Sequence, residues 1–496
     1  MKHFTIATII LISTTSTAVS ANVVHLANGV KIGEVTSTSG IIWVRLTAQA
    51  EYKSDGPEFQ QPQLVETPDG NKVDAAIAAP ENGYCHQIPQ GLRLQEMQTV
   101  VPGTRGQVRL RYWPADAESA KSVTFDWTAV DAARDFTHQF QLSSLRPGTR
   151  YAFVVEGRAA ASADVTASVP SSFKTAPARD DASANVTFTV VTGQKWQTRD
   201  DPRGQKIYPI MSGLEPSFFV HTGDIVYYDQ LNPWATHIDL ARFKWNRTYS
   251  QPSLRDFHNR VPSYFIKDDH DSWQNDCWPT QANNRMGQFT WEQGRRVFLE
   301  QVPMGDRTYR TIRWGKHLQV WLVEGRDFRS PNDAPDGRDK TIWGEEQNQW
   351  FRRTVTQSDA TFRVLISPTP VLGPDHLWKE GKSDNHVATT RSWEGARLRQ
   401  LISSQKNMFV VCGDRHWQYV SADPESGLRE YSCGPTTDRH STTLKNDDHR
   451  LLKYLGERGG FLAVTVSTKN GTPTIVFRHY DVSGNVVNED TPALGS

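Results

Sequence analysis

The stretch His221-Thr-Gly-Asp-Ile-Val-Tyr-Tyr-Asp229 is the most informative segment of this sequence. It directly follows the apolar run Phe218-Phe-Val220, which has the length and composition of a buried strand. The predicted strand therefore ends abruptly in a polar cluster that contains carboxylates, an imidazole and phenols. The glycine before Asp224 lets the backbone turn sharply, so that this carboxylate is aimed beside the strand end.

Three further apolar runs end in the same way. From residue 186 onward such runs alternate with helical patterns, which favours an α/β layered domain. In open α/β sheets the strand ends converge on one crevice, so the polar clusters are expected to meet in space. Carboxylate oxygens and imidazole nitrogens are the ligands that a site for two di- or trivalent metal ions needs. The runs and their clusters are Val186–Val191 before Thr192-Gly-Gln194, Tyr264–Ile266 before Lys267-Asp-Asp-His-Asp271, and Met408–Val411 before Cys412-Gly-Asp-Arg-His-Trp417.

Residues 22–178 have a different character, because short alternating runs recur between turn signals. Phe140-Gln-Leu142 is followed by Leu145-Arg-Pro-Gly148 and then by the alternating run Tyr151–Val155. Several such strands over about 150 residues predict a β-sandwich. The segment contains no cluster of titratable residues, which favours a packing or substrate-shaping role. A small, polar linker is predicted at 179–185, followed by the second domain at 186–496.

The amino terminus has the features of a secretory signal peptide. Lys2 and His3 precede the apolar run Ile6–Ile12, and the small residues Val19-Ser-Ala21 follow. We predict a signal peptide at 1–21 and a periplasmic or secreted mature protein. The alternative, a membrane anchor, would require roughly 20 apolar residues, about twice the length of this run. No later stretch is long and apolar enough to span a membrane, and there is no twin arginine.

Composition excludes several classes of protein. The chain has 496 residues with 55 acidic and 55 basic side chains, so the broad electrostatic attraction behind non-specific nucleic-acid binding is absent. Four cysteines are too few for a disulfide-dense scaffold or a multi-cysteine zinc array. Cys412 and Cys433 end apolar runs, and we expect either a structural disulfide or two buried thiols there.

Taken together, these motifs make residues from about 186 to 485 similar to the alkaline phosphatase D (PhoD-like) family of the calcineurin-like metallophosphoesterases. The stretches that carry the resemblance are 221–229, Lys267-Asp-Asp-His-Asp271 and Gly413-Asp-Arg-His-Trp417. The β-rich amino-terminal segment also matches. The resemblance implies an α/β fold, a layered β-sandwich flanked by helices, preceded by an all-β immunoglobulin- or fibronectin-like domain.

The resemblance also implies a role for each matching residue. Asp224 would bridge two metal ions, His270 would be a general acid or a hydrogen-bond donor in the transition state, and Arg415 would contact phosphate. The two or more metal ions are expected to be divalent, with Ca, Mn, Zn and Fe indistinguishable. The metal ligands implied in this way are Asp224, Tyr227, Asp269, Asn275, Asp414 and His416.

One position departs from the family pattern. The family has a cysteine just after the first strand, in a Ser-Cys-Gln run, and its thiolate binds a ferric ion. Here the run is Thr192-Gly193-Gln194, and glycine offers no side-chain ligand. We therefore do not expect a ferric centre with a sulfur ligand. Gln194, a water molecule or a weaker site could fill the gap.

The resulting hypothesis is an exported, metal-dependent hydrolase of phosphate mono- or diesters with a small-molecule substrate. Two alternatives remain open: a non-catalytic exported protein that keeps the fold, and a hydrolase of sulfate or phosphonate esters on the same scaffold. Specific nucleic-acid binding is not expected.

Several residues near the motifs allow more than one interpretation. The segment from Trp234 to Thr248 is either a lid or an ordinary packed helix. The three tryptophans that follow the site motifs either line a substrate pocket or pack the strand ends. We expect His386 and His440 to be surface histidines on polar loops, whereas His221 could support a metal ligand. The three tryptophans are Trp196, Trp273 and Trp417.

Overall fold

A computed structural model describes residues 23–61, 64–66, 72–74, 87–117, 122–283, 286–374, 384–445 and 449–493. The predicted signal peptide at 1–21 and Cys85 lie outside these residues. None of the helices in the described ranges is long and apolar enough to cross a membrane.

Two large sheets form the centre of the protein. In pairing order, the first consists of β23 (Val486–Asp490), β22 (Thr472–Tyr480), β21 (Phe461–Lys469), β11 (Val186–Val191), β12 (Phe218–His221), β13 (Ser263–Phe265), β1 (Val30–Gly33), β2 (Gly40–Arg45) and β8 (Thr137–Leu142). The second consists of β14 (Arg310–Trp314), β15 (Leu318–Leu322), β16 (Phe362–Ser367), β17 (Met408–Cys412), β19 (Arg429–Cys433), β18 (Gln418–Ala422) and β20 (Leu452–Gly456).

Helices cover the outer faces of both sheets. Against the first sheet pack α1 (Ile207–Gly213), α2 (Ile238–Tyr249), α3 (Pro252–His258) and α4 (Trp291–Gln301), and against the second pack α5 (Gly344–Thr356) and α6 (Ser392–Ser403). The sequence accounts for these elements locally. For example, α4 begins at a capping box in which Thr290 and Gln293 bond each other's backbone N–H groups.

Alternation along the strands creates two hydrophobic layers. In β16, Val364 and Ile366 enter the core between the sheets, whereas Leu365 packs with α5 and α6. Successive side chains of a strand point to opposite faces, and both faces are buried here. The apolar runs of the sequence are therefore continuous rather than alternating, as predicted for buried strands.

The amino-terminal segment forms a smaller sandwich that shares the first sheet. Its second layer consists of β10 (Val165–Lys174), β9 (Arg150–Arg158), β5 (Gln107–Pro114), β6 (Val123–Thr124) and β7 (Thr128–Ala129); β3 (Leu64–Glu66) and β4 (Lys72–Asp74) form a separate hairpin. Its other layer is β1, β2 and β8, and β1 pairs with β13 in parallel at Gly33 and Ser263. The first sheet thus crosses the predicted boundary at 179–185, and the domain division remains a prediction.

The cysteines in the described ranges are buried free thiols, namely Cys277, Cys412 and Cys433. Cys412 and Cys433 lie on the paired strands β17 and β19, where the Cys433 thiol lies 3.5 Å from the carbonyl oxygen of Cys412. Of the two alternatives stated above, the buried thiols are the one observed.

The lid hypothesis for the segment after Asp229 is wrong. Residues 238–249 form α2, in which Leu240 and Trp245 are buried in the core beside the first sheet, and the buried Phe243 packs against Phe59. Buried side chains on all sides of this helix favour packing over an open lid.

Candidate metal centre

The predicted strand-end clusters meet at one edge of the two stacked sheets. Asp224 follows β12 and Asp414 follows β17, and both have positive φ, 59° and 63°. Close contact between the strand ends explains the glycine before each of them. A Cβ on Gly223 would lie 2.6 Å from the backbone nitrogen of Asp268, and one on Gly413 would lie 2.3 Å from the hydroxyl of Thr222.

Asp224, Tyr227 and His416 are in direct contact. The Tyr227 hydroxyl lies 3.0 Å from Asp224 Oδ2 and 3.3 Å from His416 Nε2. His416 Nε2 lies 3.2 Å from the same carboxylate oxygen. Side chains from two sheets, about 190 positions apart in the chain, therefore point at one place.

His440 belongs to the same cluster, which corrects the expectation that it is a surface histidine. Its Nε2 lies 3.2 Å from the Tyr227 hydroxyl, and its Nδ1 lies 2.9 Å from the carbonyl oxygen of Gly193. The rings of His440 and His416 are 4.1 Å apart, centre to centre. His440 ends a short 3-10 turn after β19, in a polar loop, so hydropathy gave no signal for it.

Asp269 and His270 approach Asp224 from the end of β13. One ligand atom from each of these three residues can be chosen so that all three atoms lie within 4.8 Å of one another. His270 Nδ1 is 2.7 Å from Asp229 Oδ1, and the other oxygen of Asp229 accepts the backbone N–H of Asn275 at 2.9 Å. Asp229 was not assigned a role from the sequence, although it is the last residue of the 221–229 motif.

Asn275 and Asp276 are adjacent in the chain but have different surroundings. Asn275 is exposed, and its backbone N–H donates to the Asp229 carboxylate. The carboxylate of Asp276 instead lies within 4.8 Å of those of Asp269 and Asp384, a group in which Arg326 lies 3.0 Å from Asp384. The ligand role of Asn275 remains a prediction.

Asp414 and Arg415 form an ion pair, in which the guanidinium lies 2.9 Å from Asp414 Oδ2. The backbone N–H of Asp414 also donates to the Thr192 hydroxyl at 3.3 Å. In the described residues, two groups of three side chains bring possible metal-ligand atoms within 4.8 Å of one another, and Asp414 belongs to neither group. A metal role for Asp414 and a phosphate contact for Arg415 remain predictions.

Two other histidines are buried beside this region. His386 is fully buried, with Nε2 3.3 Å from Glu394, so the surface expectation is wrong for it as well. Its polar neighbours in the sequence concealed a buried contact with a carboxylate. His221 is also fully buried, and burial lowers its pKa to about 3.

The electrostatics of the cluster favour a bound cation. Burial, followed by the nearby Asp269, raises the pKa of Asp224 to about 7, because its ionised form is poorly solvated. Burial lowers the pKa of His416 to about 4, so its imidazole is neutral near pH 7 and able to bind a metal. Asp224 Oδ1 is buried and has no hydrogen-bond partner among the described residues. An orphaned carboxylate oxygen among neutral imidazoles is the arrangement that a metal ion would satisfy.

His270 and Asp269 are held in their charged forms. Burial opposes the charge on His270, but Asp229, Asp269 and Asp224 together raise its pKa well above the usual value. Burial likewise opposes the charge on Asp269, but His270 and Arg326 hold the pKa of that carboxyl below its usual value. The site therefore combines neutral imidazole donors on one side with an imidazolium–carboxylate pair on the other.

Known proteins match both the sequence and the fold. The sequence profile of the PhoD-like phosphatase family matches residues 188–447. Alkaline phosphatase D of Bacillus subtilis (strain 168) is 23% identical over 205 residues, which is 34% of this chain and 34% of that protein. The chain thus aligns with about a third of the length of that relative.

Two solved structures have similar folds. The structure of PhoD superposes with a TM-score of 0.64 at 15% identity, covering 96% of this chain and 93% of that chain. A purple acid phosphatase from yellow lupin (Lupinus luteus) seeds superposes with a TM-score of 0.62 at 10% identity, covering 93% and 73%. The predicted fold class, a helix-flanked layered β-sandwich preceded by an all-β region, is confirmed.

The protein belongs to the PhoD-like phosphatase family, as the sequence motifs predicted. The family is one of phosphoric ester hydrolases, which is the enzyme class that the sequence motifs predicted.

Proposed function

We propose that this chain is a metal-dependent phosphoesterase that hydrolyses small phosphate monoesters or diesters. The proposal is carried by Asp224 Oδ1, a buried oxygen that has no hydrogen-bond partner among the described residues and lies beside the convergent donors Tyr227, His416 and His440. Membership of the PhoD-like family supports the reaction class.

The residues present fit a centre of two or more metal ions. Tyr227, His416 and His440 would hold one ion together with Asp224, and Asp269 would help to hold a second ion. Asp414 and Asn275 are further candidates from the motif pattern. Ions in such a site supply Lewis-acid activation of the phosphate and of the attacking water. A sulfur ligand from position 193 is excluded because that residue is glycine.

His270 would donate a proton or hydrogen bond to the leaving oxygen. The raised pKa keeps the imidazole protonated near neutral pH, and the 2.7 Å contact with Asp229 fixes the ring orientation. General acid catalysis of this kind contributes about 10²- to 10⁴-fold to a rate. Arg415 would assist by binding the non-bridging oxygens of the phosphate, since guanidinium matches phosphate geometry.

We also infer that the protein is exported to the periplasm or beyond the cell. The basic start, short apolar run and small residues of 1–21 support a cleaved signal peptide. Mass determination of the mature amino terminus after expression with the full sequence tests this. An amino terminus near residue 22 is the expected result, and retention of 1–21 would contradict it.

The decisive experiment separates metal binding from proton donation. Asp224→Ala should lose metal and turnover together, whereas His270→Ala should keep its metal content and slow turnover. Elemental analysis and hydrolysis assays with Ca, Mn, Zn and Fe added back measure both effects. His138→Ala, a half-buried histidine of the amino-terminal sandwich, serves as the control. Equal loss of metal in the Asp224 and His270 variants would contradict this division of roles.

The substrate panel also tests the two alternatives. It consists of p-nitrophenyl phosphate, bis(p-nitrophenyl) phosphate and p-nitrophenyl sulfate. Faster turnover of the sulfate ester would indicate the other hydrolase class. Fewer than one bound metal ion per chain after reconstitution, with no turnover of any ester, would indicate a non-catalytic protein.

A further inference from the structure

Arg326 is a buried cation that lies beside the candidate metal centre. It follows β15 of the second sheet, and its side chain is fully buried. Its Nε donates to Asp268 Oδ1 at 2.6 Å, and its Nη1 lies 3.0 Å from Asp384 Oδ1. Its Nη2 lies 3.9 Å from Asp269 Oδ2, beyond hydrogen-bond distance, so that Arg326 acts on Asp269 through its charge. One guanidinium therefore faces three carboxylates, one of which belongs to a candidate metal ligand.

The carboxylates around Arg326 are close enough together to resemble a cation site. Asp269, Asp276 and Asp384 each bring one oxygen within 4.8 Å of the others. Arg326 and Arg329 both lie 3.0 Å from Asp384 Oδ1. Neighbouring carboxylates repel one another when both are ionised, and an arginine stays protonated in proteins. The positive charge that these carboxylates require is therefore supplied by the chain itself.

The loop that carries Arg326 is held by a second set of buried contacts. Glu324 Oε1 accepts the Lys267 ammonium at 2.6 Å and the Arg326 backbone N–H at 2.9 Å. The Lys267 ammonium also lies 2.7 Å from Asp327 Oδ1. Lys267 directly precedes Asp268, so two neighbouring residues after β13 bind the same loop with opposite charges. A buried network whose members are paired in this way is rigid, and it fixes the two loops relative to each other.

The contacts of Arg326 lie on the loop that presents Asp269 to the metal centre. Asp268 precedes Asp269 in the chain, so an ion pair that fixes the first residue also fixes the backbone from which the second one projects. The Asp269 carboxylate accepts the backbone N–H groups of His270 at 2.9 Å and of Asp276 at 2.7 Å. These local bonds set the shape of the loop, whereas the Asp268–Arg326 pair ties the loop to the segment after β15.

We propose that Arg326 is a positioning residue for Asp269, the side chain that would help to hold the second metal ion. Its charge offsets the repulsion between the buried carboxylates, and its ion pair with Asp268 keeps Asp269 directed at Asp224. Mutation of a group that orients a metal ligand typically changes metal affinity by about 10- to 100-fold. The proposal rests on the metal-dependent function proposed above, and it concerns a residue to which the sequence assigned no role.

Arg329 provides a matched control for this role. It is 3% exposed, and it shares with Arg326 the contact to the Asp384 carboxylate. Its other hydrogen bonds go to the carbonyl oxygens of Gly325 and Asp384, at 2.9 and 2.7 Å. Among the described residues its ion pair is with Asp384 and not with Asp268 or Asp269. Loss of either buried arginine should lower stability, but only loss of Arg326 should act on Asp269.

Hydrogen exchange of the chelator-treated full chain tests the positioning without any metal. The amides of His270 and Asp276 report on the loop, because both donate to the Asp269 carboxylate. Arg326→Gln should speed their exchange by about 10-fold or more, the effect of losing a charge-assisted hydrogen bond, whereas Arg329→Gln should leave it unchanged. Arg326→Lys keeps the charge but not the planar fork, so its exchange should be intermediate. Unchanged exchange in Arg326→Gln, or equal acceleration in both glutamine variants, would overturn the proposal.

The second measurement is the Mn²⁺ dependence of p-nitrophenyl phosphate hydrolysis. In Arg326→Gln the Mn²⁺ concentration for half activation should rise about 10- to 100-fold, while kcat at saturating Mn²⁺ should return toward that of the unmodified protein. Arg326→Lys should recover part of the Mn²⁺ affinity, and Arg329→Gln should keep the original value. A lower kcat with an unchanged Mn²⁺ dependence would show that Arg326 serves only the stability of the fold, and would overturn the proposal.

Two results are separated by design. If the unmodified protein neither binds Mn²⁺ nor hydrolyses the ester, the phosphoesterase proposal fails, and the hydrogen-exchange comparison still decides whether Arg326 positions Asp269. Circular dichroism checks that each variant folds. If Arg326→Gln does not fold, Arg326→Lys and Arg329→Lys make the same comparisons, with faster loop exchange and weaker Mn²⁺ activation expected in the first variant and not in the second. Identical behaviour of these two lysine variants would refute the role of Arg326.

Discussion

The Nδ1 atom of His440 lies 2.9 Å from the carbonyl oxygen of Gly193. A carbonyl oxygen only accepts hydrogen bonds, so Nδ1 carries the proton and the lone pair of the neutral ring is on Nε2. Burial and then His416 hold the pKa of His440 well below its usual value, which keeps the ring neutral. Metal-binding histidines are typically oriented in this way, by a carbonyl or carboxylate on the other nitrogen. Gly193, at the position where the resemblance implied a cysteine, therefore orients a histidine toward the same cluster.

His440→Ala is expected to weaken metal binding at the Tyr227 side of the cluster by at least about 10-fold, the effect of losing part of a ligand set. Metal titration of the chelator-treated variant, followed by elemental analysis, measures this. His138→Ala is the control. Metal affinity equal to that of the unmodified protein, combined with lower turnover, would instead assign His440 to substrate binding.

Gly193→Ala is expected to displace His416, another candidate ligand of the cluster. A Cβ at position 193 would lie 3.0 Å from the His416 ring, and φ of +60° adds a backbone cost of about 1–2 kcal/mol. Gly148→Ala is a matched control, because Gly148 has φ of +61° and no atom within 4 Å of its added Cβ. Both variants should lose stability to denaturant, but only Gly193→Ala should also lose metal. Similar metal affinity in the two variants would show that His416 does not need this space.

Asp229→Asn should slow turnover without loss of metal. The substitution keeps the size of the side chain but removes the charge that is 2.7 Å from His270 Nδ1 and raises its pKa. We expect kcat to fall about 100-fold, the lower end of a general-acid contribution. The alkaline limb of the kcat–pH profile should move to lower pH, because protonated His270 then persists over a narrower range. An unchanged profile would show that His270 does not act as a proton donor.

The strand-end motifs allowed much of the site to be predicted. Asp224, Tyr227, Asp269 and His416 each follow a buried strand within a few residues, and parallel strand ends share one edge. Local sequence therefore carried nearly all the information needed to bring them together. The glycines at 223 and 413 are a further signal of the site, because a side chain at either position would collide with a neighbouring strand end.

The residues that were missed depend on loop geometry, which has no periodic signal. His440 reaches the cluster through a 3-10 turn in a polar loop, and His386 is buried against Glu394 despite its polar neighbours. The pairing of β1 with β13 was also not predictable, since it joins segments about 230 residues apart through a single register pair. Pattern analysis identifies elements more readily than their distant partners.

Stability should fall in mild acid because of a buried histidine outside the metal cluster. His479 donates from Nε2 to the Ser432 carbonyl oxygen at 3.0 Å, and burial lowers its pKa to about 4. Below pH 6.5 the unfolded chain binds this proton while the folded chain does not, so the free energy of unfolding decreases from pH 6.5 to about 4. The loss is about 3 kcal/mol at 1.4 kcal/mol per pKa unit.

His479→Gln keeps a donor for Ser432 but does not titrate in this range. Urea unfolding at several pH values between 4 and 7 should show a shallower pH dependence for this variant than for the unmodified protein. The comparison should be made without metal, so that ligand protonation in the metal cluster contributes equally to both proteins. Parallel curves would mean that His479 is solvated or paired in a way that keeps its ordinary pKa.

The last prediction concerns the sheet that crosses the predicted domain boundary. A chain that begins at residue 179 loses β1, β2 and β8, which exposes the edge of β13 and the surface beneath Trp43. In the complete sheet the Trp43 indole is fully buried and donates to the Glu300 carbonyl oxygen at 2.8 Å. Unpaired sheet edges and uncovered apolar surface promote association, so we expect this chain to aggregate rather than unfold cooperatively.

Size-exclusion chromatography and thermal unfolding of residues 179–496 and of residues 23–496 make the comparison. Trp43→Ala in the longer chain is the milder test, with an expected loss of about 3–5 kcal/mol for a buried tryptophan. A monomeric 179–496 chain with a cooperative transition would instead support the two independent domains that the sequence predicts. Since β13 also leads to Asp269 and His270, we expect any shorter chain that stays soluble to bind metal more weakly than the longer one.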